Sequence, residues 1–283
     1  MDEQIVRTHI LVNFPDLQIS RIRKIGEGTG NIAYQVNNDI IFRFPKKQEN
    51  QKQLEQEIII QPVLKKYSSL PFPDFVFLPS DHSFVGYKKL SGNPLLYKLT
   101  EFKSWDTLSE QIGHFLSKLH AISNDELNKL DLLVEKRSFQ DWQELGQLYY
   151  RKTKSSVPER YHNTVEAFFH SGAPDGFTES VLCHNDLGIE HILISNNEVT
   201  GIIDWGGSAL ADPACDLARI YRDTGETLLD SILEAYMVTT SKKGGLRERA
   251  IFYGKCLIFE DLFYGTEQDV YRKKCLSALE WMF

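Results

Sequence analysis

Apolar and polar positions follow one rhythm over the first ninety residues and another thereafter. Residues 4–14 space Ile5, Val6, His9, Ile10 and Phe14 helically. The segments QISRIRKI, IAYQVNN and DIIFRFP follow, rich in β-branched and aromatic residues, and predict three short strands. Gly26, Gly28, Gly30 and Asn37-Asn38 fill the breaks between them. The third segment stops at Pro45, a residue that suits the end of a strand better than its interior. Residues 49–66 predict a helix carrying Leu54 and Ile58, with Pro62 as an interruption. FVFLPS and SFVGYKKL predict two more strands, and SGNP at 91–94 a break.

From there the period changes. Residues 105–121 place Trp105, Leu108, Ile112, Phe115, Leu116 and Leu119 on one side of a helix. Further helices are predicted over 139–153, 159–170, 226–238, 246–264 and 268–282, with short strands around 181–183, 191–195 and 199–203. Strands gathered at one end and helices at the other predict an α+β fold of two lobes. The expected division is an N-lobe over 1–91 and a C-lobe over 92–283, joined near SGNP.

Composition narrows the reading. A chain of 283 residues is long enough for two lobes and a sizeable core. The formal charge of −7 argues against a nucleic-acid partner, which would want a basic face. No apolar run approaches the roughly 20 residues of a membrane span, and the start MDEQIVRTHI has no signal core. Cys183, Cys215, Cys256 and Cys275 form no C-x-x-C pair. These features predict a reduced, cytoplasmic protein with no membrane partner. Nothing in the pattern asks for an oligomer, and a monomer is the expectation.

Three stretches carry candidate chemistry. In 26-GEGTGN-31, between two predicted strands, Gly26, Gly28 and Gly30 would let a ligand approach the backbone N–H groups, as phosphate-cradling turns do. No helix follows and no G-K-[ST] closes it, so it is neither a dinucleotide fingerprint nor a Walker loop. A plain glycine-rich hairpin reads equally well. Arg43, flanked by Ile41, Phe42 and Phe44, either lies outside or reaches into a cleft, where Glu57 could aim it; Glu49 and Glu55 are competing partners. The third stretch is LCHNDLGIEHILI, residues 182–194, followed by 199-VTGIIDWGGSALADPACD-216. Titrating groups between two pieces of core must be bonded or functional, because burying them unpartnered is costly. Asp186 and His191 stand apart as the Asp and Asn of a kinase catalytic loop do, and Asp204-Trp205-Gly206 resembles the Asp-Phe-Gly that holds magnesium. His184 reads as a bonded structural histidine.

These stretches resemble the aminoglycoside phosphotransferase family of kinase-like antibiotic kinases. IGEGTGNIAYQVNNDIIFRFPK is similar to the nucleotide loop and following strand of the branch that modifies the double-primed ring, and 258-IFEDLFYG-265 to the helix lining the aminoglycoside pocket. The resemblance implies a protein-kinase-like fold, with a small antiparallel sheet in the N-lobe. It implies Mg²⁺-dependent transfer of the γ-phosphoryl group of ATP or GTP to a small-molecule hydroxyl. Asp186 would be the catalytic aspartate, His191 and Asp204 the magnesium ligands, Arg43 the phosphate cation and Glu57 its orienting partner. The backbone of Lys88 to Leu90 would face the nucleobase, and Asp216 would brace the catalytic loop. Glu190, Asp223, Glu226, Glu260 and Asp261 are candidate partners for the ammonium groups of an aminoglycoside.

Two positions depart from the family pattern. Arg43 stands where Lys is usual, and the two are not interchangeable. His191 stands where Asn is usual. Macrolide phosphotransferases look similar at Arg43, so a macrolide is the rival acceptor, and another small hydroxylated metabolite a third; histidine at the second position occurs in both the double-primed branch and macrolide kinases and does not separate them. A pseudokinase blocked by Arg43 and a metal-dependent hydrolase are the alternatives of other classes. The hydrolase leaves the glycine turn unexplained.

Overall fold

In a computed structural model, residues 2–28, 30–99, 105–174, 176, 179–237, 245–265 and 269–283 are described. Thr29 in the glycine turn, Val238 at the end of one predicted helix and Gln268 at the start of another lie outside them. Helix α1 (Glu3–Asn13) opens the chain, capped by Asp2, whose side chain accepts the N–H of Gln4. Strands β1 (Ile22–Glu27), β2 (Asn31–Val36) and β3 (Ile40–Pro45) follow, then α2 (Gln48–Tyr67), β4 (Phe75–Phe77) and β5 (Val85–Lys88). The five strands form one antiparallel sheet in the order β1-β2-β3-β5-β4.

The two-residue period of β3 decides what this sheet does. Ile40, Phe42 and Phe44 point to one face and pack with Tyr34, Val36, Phe84 and the buried Val6 and Ile10 of α1. Ile41 points to the other face, packed with Leu54, Phe75, Val85 and Tyr87. Arg43 shares that second face by alternation. It is therefore turned toward α2, with 7% of its surface exposed. Helix α2 runs unbroken past Pro62, which was expected to interrupt it. A proline inside a helix removes one hydrogen bond and crowds the preceding turn. Ile60, Val63 and Leu64, buried in the large core on either side of it, hold the helix together.

SGNP is not a free break either. Asn93–Pro94 form a short strand, β6, that pairs with β8 (Ile192–Ser195). Pro94 is tolerated there because β6 is an edge strand of the β6-β8-β9 sheet, β9 being Glu198–Ile202. The remaining chain is mainly helical: α3 (Asp106–His120), α4 (Asn124–Leu127), α5 (Phe139–Thr153) and α6 (His162–Phe169), then α7 (Ala214–Thr224), α8 (Glu226–Ala235), α9 (Leu246–Tyr264) and α10 (Asp269–Met282). Strand β7 (Val181–Cys183) precedes the polar loop, and β10 (Ala209–Ala211) pairs with it. One continuous core joins these helices to β7, β8 and β9. No helix among the described residues is long and apolar enough to cross a membrane.

Helices α7 and α9 pack at close range through Gly254. A Cβ there would lie 2.6 Å from the Tyr221 ring and 2.9 Å from the Ala218 carbonyl oxygen. Backbone cannot swing aside as a side chain can, so Gly254→Ala is expected to lower stability by about 1–3 kcal/mol, as overpacking does. A urea midpoint equal to wild type would show that the two helices separate freely.

Candidate active site

The loop between β7 and β8 is built on a brace. Asp216, fully buried on α7, accepts the backbone N–H of Asn185 at 2.7 Å and that of His184 at 3.1 Å. Its Oδ2 also meets Nε2 of the buried His120 at 3.0 Å, and Nδ1 of that ring meets the Tyr236 hydroxyl at 2.7 Å. Cys183 Sγ lies 4.0 Å from His120 Nε2. His120, Cys183 and Asp216 form a compact set of donors that could hold a metal, but hydrogen bonds within the core already occupy them. The set reads as a brace. His184 is bonded at both ring nitrogens: Nε2 donates to the Ile203 carbonyl at 3.0 Å and Nδ1 accepts the Asp186 N–H at 3.2 Å. That pattern requires the neutral ring, and burial pushes its pKa down. Asn185 adopts a left-handed φ of 63°, which turns the chain so that Asp186 leaves the core.

His191 closes the other end of the loop. Its Nδ1 lies 2.7 Å from the Asp186 carbonyl oxygen, so it donates there. Its Nε2 is then directed at Asp204 Oδ2, 3.7 Å away. Burial works against charge on this ring, but Asp186, Asp204 and Glu190 outweigh it and raise the pKa. Asp204 also has a left-handed φ, 64°, at the start of a 3₁₀ turn over Trp205–Gly207. The adjacent Gly206 lets α2 come close, since a Cβ there would sit 3.2 Å from Gln53 Cβ and 3.3 Å from Glu57 Oε1.

Arg43 connects the sheet to this centre. Nη1 and Nη2 each donate to Glu57 at 2.8 Å, a two-point contact, and Nη2 also reaches Asp204 Oδ1 at 3.1 Å. Burial disfavours its charge, but Glu57 and Asp204 more than restore it. In turn, burial would favour the neutral acid at Asp204, and Arg43 and His191 override this to bring its pKa below the usual carboxylate value. Glu49 and Glu55 do not reach Arg43.

The glycine turn joins β1 to β2. Among the described residues, and leaving aside the chain neighbours, nothing lies within 4 Å of a Cβ built on Gly26 or Gly28, whereas one on Gly30 would meet Asn50 and Gln53 at 3.2 Å. Side chains do not cover the backbone at Gly26 and Gly28. Lys46 stands beside it, 2.8 Å from Glu27 and 3.3 Å from the Gly28 carbonyl. Lys88 pairs with Ile40 in the β3–β5 ladder. The Lys89 N–H donates to the Asp39 carbonyl at 2.7 Å, so that group is engaged inside the sheet. Leu90 packs over Gly201 of β9.

The five acids chosen as ammonium partners separate into distinct environments. Arg222 is fully buried on α7; its Nε and Nη2 reach Asp223 at 2.6 and 2.9 Å, and its Nη1 reaches Asp261 at 2.6 Å. Its Nη2 also lies 3.4 Å from Glu190. Lys274 adds a contact of 2.7 Å to Asp223 and one of 3.9 Å to Glu190. Asp223 Oδ2 further accepts the Ile189 N–H at 3.1 Å. Glu190, Asp223 and Asp261 are thus already partnered by the chain's own cations. Glu226 pairs with Arg247 away from them. Glu260 is half-buried, forms no ion pair among the described residues, and has a pKa raised by burial and by Asp261. Beside Asp223 lies a cavity of about 250 Å³ lined by Leu99, Trp105, Leu228 and Trp281.

The sequence reading missed Arg219, Arg222, Lys274 and Lys46. The first two lie on α7, a helix that begins at the end of the 199–216 stretch and was not predicted; the spacing of Leu217, Ile220 and Tyr221 was the available signal. Arg219 Nε lies 2.9 Å from Asp186 Oδ1.

Known proteins show the same arrangement of elements. The GDP complex of wild-type aminoglycoside 2'-phosphotransferase-IIIa superposes with a TM-score of 0.80 at 25% identity, covering 99% of this chain and 98% of that one. The GDP and kanamycin complex of APH(2")-IIIa gives 0.76 at 24% identity, covering 98% and 97%. The macrolide 2'-phosphotransferase type I gives 0.67 at 17% identity, covering 99% and 97%. The two-lobed kinase-like fold is therefore the fold of this chain. The model of the phosphotransferase enzyme family matches residues 21–252, most of the sequence. With Asp186, His191, Asp204 and Arg43 assembled around one centre, the chain belongs to the phosphotransferase enzyme family, as a kinase of small molecules.

Proposed function

We propose that this enzyme transfers the γ-phosphoryl group of ATP or GTP to a hydroxyl of an aminoglycoside, in a Mg²⁺-dependent reaction that confers antibiotic resistance. The observation that carries the reading is the convergence of Asp186, His191 and Asp204, with Arg43 fixed between Glu57 and Asp204. Phosphoryl transfer asks a protein mainly for position and charge. Asp186 receives the proton of the acceptor hydroxyl as its oxygen attacks phosphorus. Arg43 and the open glycine turn at Gly26, Gly28 and Gly30 face the phosphates. The connector at Lys88 to Leu90 flanks the nucleobase. In this reading an N-lobe over 1–91 binds the nucleotide, and a C-lobe over 92–283 carries the catalytic loop, the magnesium site and the acceptor pocket.

The donor set suits Mg²⁺. Asp204 offers carboxylate oxygens, His191 turns Nε2 to the same point, and magnesium commonly takes few protein ligands alongside phosphate oxygens and water. The bound ion would neutralise charge on the phosphate oxygens. The four cysteines are free and buried, in keeping with a cytoplasmic enzyme, and we propose that it acts as a monomer.

A macrolide acceptor is the second reading, favoured by one observation: three of the five candidate acids are neutralised by Arg222, Lys274 and Arg219, which leaves fewer sites for a polyamine. Another small hydroxylated metabolite remains the third. Nucleoside diphosphate release with Mg²⁺, using ATP and GTP separately, distinguishes them. Stimulation by kanamycin- or gentamicin-type compounds is the expected result. Stimulation by erythromycin-type macrolides alone would transfer the reading to the second acceptor. No stimulation by either would overturn antibiotic phosphorylation.

A further inference from the structure

We infer that Arg219 is a specificity-determining residue that withholds Asp186 from water and yields it to an acceptor. The inference rests on Asp186 acting as the base of the proposed reaction. Water is itself a hydroxyl acceptor. If Asp186 takes its proton, the water oxygen bonds to the γ-phosphorus, the bond to the diphosphate oxygen breaks, and the products are nucleoside diphosphate and inorganic phosphate. Any kinase with an open acceptor site must suppress this reaction or lose donor to it.

Arg219 is placed to do so. It lies on α7, three residues after the brace Asp216, so it projects from a fixed helix toward the loop that Asp216 holds. Its Nε approaches Asp186 Oδ1 at 2.9 Å, within charge-assisted hydrogen-bond range. Its Nη1 lies 3.9 Å from Asp261 Oδ1, on the side of the acceptor acids. The other oxygen of Asp186 faces His191 Nδ1 at 3.7 Å. A guanidinium therefore covers one of the two oxygens that could receive a proton. The loop from His184 to Glu190 contains no Lys or Arg to do the same.

The contact is built to be exchanged. Arg219 keeps 19% of its side-chain surface exposed, unlike Arg222, which has none. Asp186 is 35% exposed. An amine of the acceptor that lodges between the half-buried Glu260 and Asp186 offers Asp186 the same charge that Arg219 supplies, so it can take the place of the guanidinium as it binds. Water carries no charge and cannot make that exchange.

The test is acceptor-free hydrolysis. Phosphate release from ATP and from GTP with Mg²⁺ is measured for wild type, Arg219→Gln and Arg219→Lys, followed by phosphorylation of kanamycin and erythromycin. In the Gln variant hydrolysis is expected to rise about fivefold, the rate equivalent of an ion pair worth about 1 kcal/mol, without a matching rise in transfer. The Lys variant, which cannot keep both contacts, should rise by less. A residue that merely supports the loop would lower hydrolysis and transfer together, and that result overturns the inference, as does hydrolysis unchanged in both variants. If the Gln variant proves unstable by its melting midpoint, wild-type hydrolysis in the Lys variant overturns it alone. Wild-type enzyme stimulated by neither antibiotic would count against the acceptor reading, while the hydrolysis comparison still judges Arg219.

Discussion

Asp186→Asn is expected to reduce phosphoryl transfer by roughly 10³-fold, within the range of positioned proton acceptors, while melting temperature and nucleotide affinity stay near wild type. The substitution keeps the shape of the side chain and removes its charge and basicity. The loop itself does not depend on that carboxylate. Its backbone is held by Asp216 through His184 and Asn185, by His184 through the Asp186 N–H, and by His191 through the Asp186 carbonyl. All four contacts survive in the amide. The proton of the acceptor, by contrast, loses its destination. Steady-state kinetics with a nucleotide titration would separate the two effects. Transfer within a few-fold of wild type would remove Asp186 from the role of base, and the function proposed here would need another.

Arg222→Met should produce the largest loss of stability. Arg222 has no exposed surface and binds Asp223 and Asp261 directly, with Glu190 next to it. Removing one partner of a buried ion pair leaves the others charged without compensation, at a cost of about 3–5 kcal/mol. For a chain of this size each kcal/mol moves the melting midpoint by about 2–4 °C, so a fall on the order of 10 °C is expected. Methionine roughly fills the volume, which separates loss of charge from loss of packing. Lys274, still beside Asp223 and Glu190, would limit the damage but cannot reach all three acids as the planar fork does. A midpoint within a degree or two of wild type would mean that the acids accept protons at little cost, and that the network contributes little to the fold.

The order of elements was legible because it rests on periodicity. The strands around Arg43 and the helix over 246–264 follow directly from spacing of two and of 3.6. Errors arose where a local rule met a tertiary contact. Pro62 should interrupt a helix, yet core packing on both sides carries α2 through. SGNP reads as a joint, yet half of it is an edge strand on β8. In the site, the acids and His191 were visible because they cluster in sequence. Their partners were not. Arg222 is 32 residues from Glu190 and 39 from Asp261, and a charge can be counted along a chain without revealing which opposite charge it meets. Three acids that appear open to a cationic ligand on paper are closed by cations that only folding brings to them.

Helix α7 carries Asp216, Arg219, Arg222 and Asp223 within eight residues. One rigid rod therefore sets the backbone of the catalytic loop, the orientation of its aspartate and the floor of the acid network. Because these side chains stand on one helix, the spacing between the aspartate and the acid network is set by a single element, whereas the glycine turn belongs to the sheet. Aligning the site therefore asks for two elements to be placed, rather than for each of its residues to be placed separately.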